Sequence, residues 1–143
     1  VGANLWLPGS GSRKFEDPEK FVKMNGREVF KFATRVMVSS AEAILNECDK
    51  TVDDIDVYVP HQANVRIIDH GARKRGFPQE KTIVNVNKYG NTSSGSIPLA
   101  LADAADDGRL GPGKLVLLTG MGAGLTWGSA LIEWTHETTG AAA

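Results

Sequence analysis

The spacing of apolar residues along the chain predicts strands that alternate with helices. Short runs rich in β-branched and aromatic residues predict strands, and these runs lie at residues 1–7, 55–59, 82–86, 115–119 and 127–134. Apolar residues that recur every three or four positions predict amphipathic helices, and these segments lie at residues 26–47, 62–75 and 93–105. We therefore expect an α/β fold with a five-stranded sheet flanked by helices. The sheet should be mixed, because the last two strands follow each other without a helix between them.

Capping signals refine the predicted helices. The triplet at residues 17–19, Asp-Pro-Glu, favours a further helix start, because proline and acidic side chains suit the first turn. Ser93 or Ser94 can cap the helix that runs to residue 105, and Gly108 can end it.

Three segments that follow predicted strands carry residues suited to chemistry. They read VPHQAN at 59–64, KYGNTSSGS at 88–96 and GMGAG at 120–124. In open α/β sheets, ligands bind beyond the carboxyl ends of the strands. We therefore expect these three segments to lie together around one ligand-binding site.

His61 is the titratable side chain of the first segment. The start of a helix lowers the pKa of a nearby imidazole, because its partial positive charge disfavours imidazolium. A neutral imidazole can donate one hydrogen bond to a developing oxyanion. A purely structural or capping histidine is the alternative, and the residues alone leave both interpretations open.

The other two segments offer donors that do not titrate. Asn91 follows Gly90 at the tip of its loop, and a carboxamide NH₂ can polarise a carbonyl group. Ordinary turn chemistry is the alternative for this loop. The glycines at 120–124 loosely resemble a dinucleotide fingerprint, but they join two strands and do not open a helix. They can bring backbone N–H groups close to a ligand, or they can simply form a bend.

Composition excludes several classes of protein. The chain has 143 residues, 41% of them hydrophobic, and a net charge of −1, as expected for one globular domain without nucleic-acid binding. No apolar run approaches the roughly 18–20 residues of a membrane span. The single cysteine, Cys48, excludes an internal disulfide and a cysteine-cluster metal site, which fits the cytoplasm. The predicted acidic helix end around Cys48 disfavours a catalytic role for it. The start at Val1 without methionine suggests a fragment or a cleaved product.

Three long motifs resemble one enzyme family. VPHQANVRII, YGNTSSGSIPLAL and DDGRLGPGKLVLLTGMGAGLTWGSALI are similar, in order and spacing, to the second half of the β-ketoacyl-acyl-carrier-protein synthase III family, and MNGREVFKFA is similar as well. The resemblance implies a thiolase-like fold of two similar halves that pack as five layers. Residues 1–143 would be the C-terminal half. The family's nucleophilic cysteine lies in the other half and is absent here.

The resemblance also implies an activity. In this family a cysteine takes an acyl group from acyl-CoA, malonyl-acyl-carrier protein loses CO₂, and the resulting enolate attacks the acyl group, which initiates fatty-acid biosynthesis. No cofactor is needed beyond the substrate thioesters. The implied partners are the N-terminal half, acyl-CoA and acyl carrier protein, and the full enzyme would be a homodimer. The alternatives are a non-catalytic or split-enzyme half, a polyketide condensing enzyme, and a protein nearer to thiolases or hydroxymethylglutaryl-CoA synthase.

The family's motifs imply roles for individual residues. The catalytic pair that binds the enolate oxygen would be His61 and Asn91. The oxyanion hole and active-site loop would contain Met121, Gly122 and Ala123, although the family usually has phenylalanine at the first of these positions and glycine at the third. The CoA and pantetheine contacts would be Gly26, Phe30 and Asn64. The carrier-protein contacts would be Gln62, Arg66, Arg73 and Lys74, the last three of which share one face of the predicted helix.

Overall fold

The computed structural model describes residues 5–6 and 23–137 of the chain. The described strands are β1 (Leu5–Trp6), β2 (Lys23–Met24), β3 (Val57–Pro60), β4 (Lys114–Gly122) and β5 (Thr126–Trp134). The described helices are α1 (Gly26–Glu47), α2 (Val65–Arg75), α3 (Val86–Tyr89) and α4 (Ser96–Asp106), with 3₁₀ turns at Gln79–Lys81 and Ser93–Gly95. The helix start predicted at residues 17–19 and most of the strand predicted at 1–7 lie outside the described residues.

The main sheet has the strand order β3-β4-β5. Strands β3 and β4 run parallel, with Val57 opposite Val116, whereas β4 and β5 form an antiparallel hairpin, with Lys114 opposite Trp134. Strands β1 and β2 form a separate antiparallel pair. The prediction of a mixed α/β sheet is therefore confirmed.

Helices cover both faces of the main sheet. Because successive side chains of a strand point to opposite faces, Tyr58 and Val59 enter different clusters. The cluster on the side of α1 and α2 contains Ala41, Leu45, Ile55, Tyr58, Ala72, Phe77 and Leu117. The cluster on the side of α4 contains Val57, Val59, Ile83, Ala100, Ala104, Leu110 and Val116. The chain thus has three layers, with the sheet in the middle.

The prediction of a strand at residues 82–86 is wrong, and within the described residues the main sheet has three strands where five were expected. Thr82 forms a single parallel bridge with Tyr58, and the Ile83 N–H donates to the Tyr58 carbonyl at 2.9 Å. The next ladder bonds do not form. Instead, the N–H groups of Asn85 and Val86 donate to Oε1 of Gln62 at 2.8 and 3.1 Å, and the chain turns into α3.

The Gln62 side chain is a buried cross-link between β3 and this segment. It is 1% exposed. Its Nε2 donates to the carbonyls of Pro60 and Ile83 at 2.8 and 3.1 Å. With the two bonds at Oε1, the carboxamide reaches its full capacity of two donors and two acceptors. The prediction that Gln62 contacts a carrier protein is at odds with this position, because so buried a side chain offers no surface.

Other predicted boundaries shift for local reasons. Helix α1 matches its predicted bounds. Helix α2 begins at Val65, three residues later than predicted, because Asn64 caps it by accepting the Arg66 N–H at 2.9 Å. Strand β4 continues to Gly122 and takes in three residues of the predicted glycine loop. No side chain caps α4, which follows directly on the 3₁₀ turn Ser93–Gly95.

Replacing Gln62 with alanine should destabilise the chain by about 2–4 kcal/mol, because two carbonyls and two N–H groups would lose their buried partners. The measurement is urea unfolding, read from the midpoint at constant slope. Gln79→Ala is the matched control, because Gln79 is exposed. Equal midpoints for the two variants would contradict this role for Gln62.

Candidate active site

His61 is fixed by two different layers of the fold. Its backbone N–H donates to the Thr119 carbonyl at 2.7 Å, which extends the pairing of β3 with β4 by one step. Its ring Nδ1 lies 2.5 Å from Oγ of Ser96, the first residue of α4. The imidazole is therefore held at the carboxyl end of β3, with its Nε2 turned away from this contact.

Burial lowers the pKa of His61 below its ordinary value of 6.5. Desolvation is the cause, and not the helix start that the sequence suggested, since His61 precedes the Asn64 cap of α2. The ring is neutral at pH 7. Because the unfolded chain takes up this proton more readily than the folded one, protonation of His61 opposes folding as the pH falls below 6.5.

Asn91 has its amide nitrogen unpaired within the part of the chain that the structure describes. It is exposed and follows Gly90, whose φ of 70° and ψ of −163° suit glycine. Its Oδ1 accepts the N–H of Ser93 at 3.0 Å, so that this oxygen is engaged within the loop. Among the described residues, Nδ2 has no hydrogen-bond partner, and it is free to donate.

Both predicted catalytic residues lie near the amino end of α4. The ring of His61 contacts Ser96, and the 3₁₀ turn Ser93–Gly95 joins Asn91 to this same residue. Two uncharged donors, one imidazole and one carboxamide, thus belong to one end of one helix. Such donors stabilise an oxygen that gains negative charge during a reaction.

The third predicted loop is shorter than expected. Met121 and Gly122 are the last residues of β4 and pair with Trp127 and Thr126. Ala123 is exposed in the turn, where its carbonyl accepts the Thr126 hydroxyl at 2.9 Å. The predicted oxyanion-hole residues therefore lie at the end of β4, beyond the Thr119 carbonyl that supports His61.

A small apolar cluster brings together residues that were predicted to have separate roles. Phe30 and Met121 pack on the buried side chains of Ala33, Met37 and Ile67. The guanidinium carbon of Arg66 lies 5.6 Å from the centre of the Phe30 ring, within the range of a cation–π contact. A predicted pantetheine residue, a predicted carrier-protein residue and the active-site loop thus adjoin one another.

The remaining predicted binding residues lie on the surface. Gly26 is exposed at the start of α1, one turn before Phe30 on the same side of the helix. Asn64 is exposed and uses Oδ1 for its cap, which leaves its NH₂ for a ligand. Arg73 and Lys74 are exposed on α2, and Arg73 Nε also donates to the Asp69 carbonyl at 3.1 Å.

One residue of the site, Ser96, was not predicted from the sequence, and one, Gln62, was predicted in another role. Ser96 contacts the ring of His61, and its partner lies 35 positions away. Gln62 was expected to contact a carrier protein, and its side chain instead binds the segment at 83–86. No local pattern signals a contact of that kind.

Neither a metal-binding cluster nor a membrane span is present among the described residues. Residues 23–137 contain no group of three or more histidine, cysteine, aspartate or glutamate side chains placed to hold a metal ion. Within the part of the chain that the structure describes, no helix combines the length and apolar character needed to cross a membrane.

Known proteins resemble this chain over most of its length. The family model described as "3-Oxoacyl-[acyl-carrier-protein (ACP)] synthase III C terminal" matches residues 45–134. The β-ketoacyl-[acyl-carrier-protein] synthase III of Natranaerobius thermophilus is 48% identical over 139 residues, which cover 93% of this chain and 42% of that protein. Synthase III 2 of Deinococcus radiodurans is 47% identical over 141 residues, which cover 97% of this chain and 42% of that protein.

Solved structures of such synthases also resemble this chain over most of its length. The synthase III of Thermus thermophilus matches with a TM-score of 0.83 and 45% identity, over 93% of this chain and 42% of that one. The priming β-ketosynthase of the R1128 polyketide pathway also matches with a TM-score of 0.83, at 33% identity, over 94% of this chain and 41% of that one. The chain thus spans about two fifths of the length of these relatives.

Proposed function

Since the chain belongs to the 3-oxoacyl-[acyl-carrier-protein] synthase III family and matches its C-terminal part, we propose that it supplies the decarboxylation site of a condensing enzyme. The observation that carries this proposal is the placement of His61 and Asn91 near the amino end of α4. Each side chain has one polar atom engaged inside the chain, His61 Nδ1 with Ser96 and Asn91 Oδ1 with Ser93. The opposite atoms, Nε2 of His61 and Nδ2 of Asn91, are therefore left for a substrate oxygen.

The proposed reaction joins an acyl-CoA primer to malonyl-acyl-carrier protein. A cysteine thiolate first takes the acyl group from CoA. The malonyl thioester then loses CO₂, and the electron pair of the broken C–C bond moves into an enolate. His61 Nε2 and Asn91 Nδ2 donate to the enolate oxygen. The enolate carbon attacks the acyl carbonyl, and the cysteine thiolate leaves. The product is a 3-oxoacyl thioester on the carrier, formed without a further cofactor.

The nucleophile has to come from outside this chain. Cys48 is exposed at the end of α1, next to neither His61 nor Asn91. The relatives are more than twice as long as the matched region, and we propose that the remaining half carries the reactive cysteine.

Helix α4 offers a surface for that half. Its sequence, SIPLALADAAD, is apolar nearly all round, which is typical of a helix buried on every side. The sheet covers one side only, and Pro98 and Ala102 are exposed. A second half packed on this surface would give the five-layered thiolase-like arrangement. The complete enzyme would pair with a second copy, and a free thiol at Cys48 fits a cytoplasmic setting.

Priming of polyketide synthesis is a second candidate. The match to the R1128 priming ketosynthase, at 33% identity and a TM-score of 0.83, favours it. The chemistry at His61 and Asn91 would be the same, because only the primer and the carrier differ.

Alanine at His61 or Asn91 should slow decarboxylation of the malonyl thioester by roughly 10²–10³-fold, because one oxyanion donor is lost. Transfer of the acyl group to the cysteine, followed by intact mass, should persist. His70→Ala and Asn87→Ala are matched controls, because both residues are exposed and lie outside the site. Equal losses in acylation and decarboxylation would contradict the assignment.

The exposed cationic side chains of α2 support the docking of an acyl carrier protein on this helix. Arg66 lies over Phe30, beside the proposed pantetheine path, and Arg73 and Lys74 are exposed on the same helix. Carrier proteins are acidic, so complementary charge would guide their approach. Gln62 is excluded from this surface by its burial.

Arg66→Glu should raise the KM for malonyl-acyl-carrier protein about tenfold, because like charges oppose docking. The KM for a small malonyl thioester without the protein should stay close to that of the native enzyme, and added salt should narrow the difference. Arg35→Glu, at an exposed position on α1, is the matched control. An equal rise for both substrates would show that Arg66 acts within the site and not on the carrier.

A further inference from the structure

The contact between Ser96 and His61 lies inside the protein. Ser96 is 1% exposed. Its Oγ lies 2.5 Å from Nδ1 of His61 and accepts the backbone N–H of Gln62 at 3.2 Å. As the first residue of α4, Ser96 is held by the helix that also follows Asn91.

Hydrogen-bond accounting decides which of the two atoms donates. The backbone N–H of Gln62 can only donate a hydrogen bond, so it occupies one lone pair of the Ser96 oxygen. The Ser96 hydroxyl hydrogen needs an acceptor, because a buried donor without a partner costs about 1–3 kcal/mol. Among the described residues, Nδ1 of His61 is the acceptor within reach. If Nδ1 carried a proton, both hydrogens would compete for the same contact.

We propose that Ser96 is a positioning residue that holds the neutral His61 ring in the tautomer with its proton on Nε2. Ser96 donates to Nδ1, and the ring therefore keeps its single N–H on the side that faces away from α4. The opposite tautomer would present a lone pair to the substrate oxygen and would repel it. This inference deepens the proposed function and rests on it for its catalytic consequence, whereas the tautomer itself is a property of the fold.

The same reasoning links Ser96 to the buried cross-link. Its Oγ accepts from the backbone of Gln62, the residue whose side chain binds the segment at 83–86. The hydroxyl can therefore not turn toward the Gln62 N–H, and its hydrogen is directed at the imidazole. The tautomer of His61 is thus set by the geometry of a buried loop.

The direct test is the ¹⁵N spectrum of the histidine rings in the complete enzyme at pH 7, with His61 identified by its absence in His61→Ala. We expect the proton on Nε2 in the native enzyme. Ser96→Ala should mix the two tautomers and lower the kcat for decarboxylation about tenfold, with the KM for the malonyl thioester unchanged. Ser96→Thr, which keeps the hydroxyl, should restore the tautomer. Ser94→Ala, at an exposed serine two positions earlier, should resemble the native enzyme.

Each outcome decides the question. A native proton on Nδ1 would overturn the proposal without any variant, and so would a Ser96→Ala enzyme with native kcat and native ring shifts. If the native enzyme does not decarboxylate malonyl thioesters at all, the proposed function fails, whereas the ring spectrum still decides the role of Ser96.

Discussion

The four hydrogen bonds of the buried Gln62 carboxamide are the constraint on which this site depends. A polar side chain at 1% exposure is tolerated only when every donor and acceptor is satisfied. Gln62 meets this requirement by binding the end of β3 and the segment at 83–86. In doing so it ends the pairing that Thr82 begins, and it fixes the loop that contains His61. Helix α2 begins after this loop, at Val65, where Asn64 caps it.

In the proposed function, neutral groups around this loop stabilise negative charge. Burial keeps the pKa of His61 below its ordinary value, and Asn91 does not titrate. Internal partners occupy Nδ1 of His61 and Oδ1 of Asn91, which leaves Nε2 of His61 and Nδ2 of Asn91 for a ligand. Donors that are oriented before the substrate arrives need no rearrangement during the reaction, which is the main advantage of a preorganised oxyanion site. In the proposed function, the apolar cluster under Phe30 and Met121 would lie along the path of a carrier-borne substrate.

The sequence predicted the elements whose formation depends on local pattern. Helix α1 matched its predicted bounds because its apolar stripe spans 22 residues. His61 and Asn91 were open to structural alternatives on pattern alone, and the family's motifs gave them roles. The prediction failed at residues 82–86, where a β-branched run is diverted by a side chain more than 20 positions away. Ser96 was missed for the same reason, since long-range contacts leave no periodic signal.

The central claim is that this chain is the decarboxylating half of a condensing site whose nucleophile lies in the other half. The most direct measurement mixes the purified chain with the cysteine-bearing half of a synthase III relative and follows the 3-oxoacyl product from acyl-CoA and malonyl-acyl-carrier protein. The account predicts product from the mixture, and none from either half alone. Product from this chain alone, or none from a mixture that forms a stable complex and acylates its cysteine, would contradict it.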